Sequence, residues 1–130
     1  MRLLLDTHVA IWAVEHPEKL PNDVRDLIED SANDVFVSAA SIWEIAIKWA
    51  LPRATGKPPF SGSDAIHHFK VAGFSDLPIT AVHTIGVEKL PLIHNDPFDR
   101  LLVAQALAEP LRLITADRNV AQYSDTIILI

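Results

Sequence analysis

Cysteine is absent from the chain, which excludes disulfides and thiolate chemistry outright. No apolar stretch approaches the roughly 18 uninterrupted residues of a membrane span. The opening Met1-Arg2-Leu3-Leu4-Leu5-Asp6 turns acidic too soon for a signal peptide, so a cytoplasmic protein is expected. There is no internal repeat and no low-complexity segment. A surplus of positive charge is missing too, the formal net charge being −6. That argues against a domain that tracks nucleic acid through a broad basic surface, yet allows an enzyme whose acids gather around cations.

What is present describes a folded domain. Apolar residues make up 49% and charged residues 22% of the chain, a globular balance. Its 130 residues suffice for one core, so a single domain over 1–130 is expected. Apolar runs at Arg2 to Leu5, Val35 to Val37, Asp76 to Ile79, Leu111 to Thr115 and Thr126 to Leu129 predict four strands and a fifth. Helical spacing predicts helices over Thr7 to Val14, Leu20 to Ala32, Ala40 to Leu51 and Phe98 to Ala108. Ser63 suits the N-cap of another helix running to about Val71, and a short one should follow Thr80. The helix from Ala40 to Leu51 is apolar nearly all round, which predicts burial on most sides. Strands without polar alternation, separated by helices, predict an α/β fold: a mainly parallel sheet covered on both faces.

Several acids sit where a helix N-cap and a metal ligand look alike. Asp6 directly follows the first strand, and Asp117 follows the fourth. Each suits a cap that accepts free N–H groups at a helix start. Asp96 precedes Pro97 and falls on the N-cap of its helix; Asp99 falls at N3, on the face of Leu102, Val103 and Ala106. Glu44 can pair with Lys48 at i,i+4, but its small and apolar neighbours suggest burial, which a lone carboxylate does not tolerate. Connectivity brings Asp6, Glu44 and Asp117 to the carboxyl edge of the sheet, and Asp99 opens the helix leading into the fourth strand. Ligands bind at that edge. Converging carboxylates repel one another, and a divalent cation is the usual resolution; oxygen donors without cysteine favour Mg²⁺ or Mn²⁺. The six histidines offer no metal spacing, and Trp12, Trp43 and Trp49 read as core.

The segments "LLLDTH", "SAASIWEIAIK", "HNDPFDRLLVAQA" and "LITADRNV", in this order, resemble the PIN-domain endoribonucleases of the VapC toxin type. The resemblance spans Leu3 to Val120. It implies a three-layer α/β/α sandwich, metal-dependent cleavage of RNA, a cognate antitoxin and a homodimer. Matched motif by motif, its acidic quartet falls on Asp6, Glu44, Asp99 and Asp117. Thr115 matches the hydroxyl residue that orients the last acid, and Asp96 belongs to a subgroup pattern.

On this reading Asp6 and Asp99 bind a metal directly, while Glu44 and Asp117 hold a second ion or reach the metal through water. Thr7, Ser38, Asp96, Thr115 and Asn119 would serve as hydrogen-bonding residues behind them. Between Glu44 and Asp64 the local charge turns positive. Arg53 and Lys57 there, together with Arg100 and Arg118, are the candidates for RNA contact. Two other classes lack their marks. A haloacid dehalogenase-type phosphatase needs an aspartate where His8 stands. A receiver module needs an acidic pair near the first strand and a lysine after a late one. A degenerate domain kept for protein binding is the remaining alternative.

Overall fold

The structure, a computed structural model, describes residues 1–52 and 56–130. Strand β1 (Arg2–Leu5) leads into α1 (Thr7–Glu15), and α2 (Asn22–Glu29) into β2 (Asp34–Ser38). Helices α3 (Ala39–Ala50) and α4 (Gly62–Val71) precede β3 (Ser75–Leu77) and α5 (Ala81–Gly86). Helix α6 (Pro97–Ala108), β4 (Arg112–Thr115), α7 (Arg118–Ala121) and β5 (Ile128–Leu129) complete the order. The sheet runs β3-β2-β1-β4-β5 with every pairing parallel. This is the expected α/β sandwich, with the fifth strand present.

Alternation along β1 divides the core in two. Leu3 and Leu5 pack with Val9, Val24, Val37 and Phe69 on one face. Leu4 faces the other way, toward Leu102, Val103, Leu113 and Val120. Successive strands step to one side of β1 and then, at β4, to the other. That reversal opens a crevice outside the carboxyl ends of β1 and β4.

Two sequence expectations need correction. Helix α3 is not buried on most sides: Trp43 is 56% exposed and Trp49 40%. Its Ala40 belongs to one core and its Ile45 to the other. The helix therefore crosses the end of the sheet instead of lying flat on one face, and it turns an apolar side outward. Ser61, not Ser63, caps α4, its hydroxyl accepting the Asp64 N–H. Gly62 opens the helix where it meets α3 closely; a Cβ there would lie 3.0 Å from Cβ of Ala46.

Candidate active site

Asp6 is both a cap and a wall of the crevice. Its Oδ1 accepts the Val9 N–H at 2.9 Å and its Oδ2 the Thr115 hydroxyl at 2.6 Å. Burial raises its pKa above the ordinary carboxylate range, against the lowering pull of those two hydrogen bonds. The hydroxyl of Thr115 also accepts the Asp117 N–H at 3.0 Å, so this one side chain ties together the acids that follow β1 and β4.

Glu44 comes in from α3, buried, with both oxygens engaged. Oε1 accepts the Thr7 hydroxyl at 2.7 Å and Oε2 the Lys48 ammonium at 2.6 Å. Thr7 Oγ1 also lies 3.0 Å from Ser41 Oγ. The ion pair and the buried carboxylate, rival readings of the sequence, are the same object.

Asp96 caps α6, accepting from Phe98 N at 2.8 Å and Asp99 N at 3.3 Å. Asp99 is half-buried, and burial first, then repulsion from Asp96, Asp6 and Glu44, pushes its pKa up to about 7. Its one ion-pair partner among the described residues is His94, at 3.2 Å. His94 Nε2 also lies 2.9 Å from Asp117 Oδ2. Burial works to raise the Asp117 carboxyl, but the His94 hydrogen bond and the N–H groups of Asn119 and Val120 hold it below its ordinary range.

The hydrogen of His94 can be placed. The Asp96 N–H points at Nδ1 from 3.1 Å, so Nδ1 accepts and Nε2 carries the hydrogen toward the two carboxylates. Ligand atoms of His94, Asp99 and Asp117 lie within 4.8 Å of one another. His94 nevertheless stands there as a donor occupying the place of a positive charge.

Asp6, Glu44, Asp96, Asp99 and Asp117 thus line one cavity of about 610 Å³, with His94, Lys48 and Arg118 on its walls. The PIN domain family profile aligns with residues 3–125. The chain belongs to the PIN domain family.

This PIN domain is 28% identical to ribonuclease VapC22 of Mycobacterium tuberculosis over 128 residues, spanning 93% of the chain and 91% of that protein. Ribonuclease VapC16 of the same organism is 35% identical over 63 residues, 48% of the chain and 44% of its own length. Among solved structures, VapBC2 from Rickettsia felis bound to a promoter DNA fragment superposes with a TM-score of 0.68 at 18% identity, covering 100% of the chain and 98% of that chain. FitAcB from Neisseria gonorrhoeae superposes at 0.62 and 20% identity, covering 98% and 96%. At those identities the superpositions carry the fold.

Other expected site residues sit elsewhere in this PIN domain. Ser38 caps α3 through Ala40 N and donates to Gln105 at 2.5 Å, away from the cavity. Asn119 meets Asp117 through its backbone N–H alone. The Arg100 guanidinium is held by Pro91 O, Val87 O and Tyr123 Oη, which makes it a clamp on the segment before α6. Lys57 lies over the Trp49 ring at 4.7 Å. Arg53 lies outside the described residues. The Glu44–Lys48 pair read from the i,i+4 spacing is present, whereas the bridging role of His94 was missed. Nothing in the sequence places His94 between two acids.

Proposed function

We propose that this chain is a divalent-metal-dependent endoribonuclease: the toxin of a cytoplasmic toxin–antitoxin pair, folded as one domain over 1–130 and working as a homodimer. The convergence of Asp6, Glu44, Asp99 and Asp117 on one cavity carries this reading. The donor chemistry fits Mg²⁺ or Mn²⁺: the acids offer hard oxygens, each with a second lone pair beyond the hydrogen bonds described, and no thiolate competes. Asp99 fits a cation best, since its carboxylate is desolvated and crowded by like charge. Asp6, fixed by Thr115 and Val9, is the second direct ligand. Glu44 and Asp117 complete the set through water or a second ion.

Such a cation supplies positive charge against the phosphodiester and acidifies water for in-line attack. The protein's part is orientation. Thr115 holds Asp6 and the backbone of Asp117 together, and Thr7 and Lys48 hold Glu44. Arg118, exposed at the rim, faces incoming phosphate. The ribonuclease names of the VapC relatives support RNA as substrate. The VapBC complexes support an antitoxin partner.

Metal-stripped protein should rise in melting temperature on adding millimolar Mg²⁺ or Mn²⁺, because a ligand bound only by the folded state stabilises it. Single-stranded RNA should be cut only when the metal is restored. Full cleavage in excess chelator would overturn the reading.

A further inference from the structure

The acidic cavity does not end at Glu44 and Lys48. It shares His8, Trp12, Glu44 and Lys48 with a second cleft of about 340 Å³ that runs between α1 and the stretch Gly56 to Pro59. The charge reverses there. Lys19, Lys48 and Lys57 line the second cleft, and Glu44, already held by Thr7 and Lys48, is its one acid among the described residues. Lys19 and Lys57 enter none of the ion pairs of the described residues. Each is instead parked on an indole: Lys19 Nζ lies 5.8 Å from the Trp12 ring centroid and Lys57 Nζ 4.7 Å from that of Trp49. Trp12 itself is half-buried, not core. Its ring tilts against His8 with centroids 6.2 Å apart, four residues along the same helix face.

We propose that this cleft seats the nucleotide flanking the scissile bond, with its base against Trp12 and the adjoining phosphates on Lys19 and Lys57; the assignment rests on the ribonuclease reading. Single strands are gripped by an aromatic face beside a run of cations, and both are present here. The shared wall at Trp12 and Lys48 lets a strand pass from the cationic cleft into the acidic cavity without leaving the groove. Carboxylates alone would meet the lysines and leave the indole face unused, whereas the bases of a single strand stack on it.

The test uses Trp43→Phe/Trp49→Phe protein, in which Trp12 is the remaining tryptophan of the chain's three, kept in chelator so that RNA is bound and not cut. A labelled oligoadenylate of about ten nucleotides should quench Trp12 as it binds. With metal restored, Trp12→Leu and Lys19→Gln/Lys57→Gln should each raise KM for single-stranded RNA about tenfold, with much smaller changes in kcat. The lysine pair should also flatten the dependence of log K on log salt by about 1.4, at about 0.7 per phosphate contact. If the oligonucleotide binds and is cut while Trp12 emission and both KM values stay put, the strand runs elsewhere; this proposal falls and the ribonuclease reading stands. Lower melting temperature and kcat at unchanged KM would make these residues structural, and a polyglutamate peptide that quenches Trp12 and resists displacement by RNA would make the cleft a protein-docking site; either overturns the proposal. If the parent protein neither binds nor cuts RNA with metal present, the ribonuclease reading itself fails.

Discussion

Asp96 and Asp99 share one helical turn and divide its tasks between them. Asp96 spends Oδ1 on the N–H groups of Phe98 and Asp99. Asn caps a helix as well as Asp does, so Asp96→Asn should leave the melting temperature nearly unchanged. Asp99 accepts no backbone hydrogen bond among the described residues and is pushed up to about 7, by burial first and neighbouring acids second. A carboxyl raised in the folded state favours folding when protonated, so ionising it costs stability. That cost is absent near pH 4, grows as pH rises toward 7, and is complete above it. Metal-free Asp99→Asn should therefore melt higher than the parent at pH 8, with the gain vanishing near pH 4, while metal affinity and RNA cleavage collapse together. Melting curves from pH 4 to 8 in chelator, paired with cleavage assays in metal, check both halves. An active Asp99→Asn beside an inactive Asp96→Asn would show the roles reversed. The acids were legible because each stands at a strand end or helix start, where spacing alone assigns an edge. His94 was not, because its bridge depends on how residues 91–96 fold back over the crevice, and no periodicity encodes that path.

Between elements, the joint that matters most is polar. Gln105 is fully buried on α6, accepting from Ser38 at the α3 cap and donating to the carbonyl of Pro78 before α5. Its amide also reaches His83, which is buried in α5 and paired with Glu109 at 2.6 Å. Gln105→Leu keeps the volume but strands these partners, each at about 1–3 kcal/mol. An unfolding free energy, from urea titration, lower by at least about 2 kcal/mol is expected; a loss under about 0.5 kcal/mol would mean that water replaces the amide. The sequence reveals strands and helix pattern well, since buried parallel strands are written as continuous apolar runs. It misplaced the environment of α3 for a physical reason. An all-round apolar helix signals a need for cover without saying whether the sheet or another molecule provides it. The Gln105 network was invisible for a related reason: a lone glutamine in an apolar helix looks like surface until its partners arrive from other elements.

At the scale of the whole molecule, that missing cover becomes a prediction. Trp43 is 56% exposed, Ile47 38% and Ile66 55%, while Phe98 meets the Trp43 ring edge-on at 5.1 Å. Shallow apolar clefts flank Trp43 on both sides, one against Pro97 and Leu101, the other against Ile42 and Pro78. An apolar surface centred on one indole is unfavourable to leave in water. A two-fold contact would bury it in a single step, each Trp43 entering a cleft of the other copy. Light scattering on the isolated chain should therefore give a dimer mass. Trp43→Glu should shift it to the monomer and remove the rise of melting temperature with protein concentration, because a dimer contact stabilises only the folded, paired state. Cleavage by the monomeric variant then tells whether the cavity lined by Asp6, Glu44, Asp99 and Asp117 is complete within one chain or needs the second copy. A parent chain that stays strictly monomeric at high concentration would leave the α3 face without the role assigned to it.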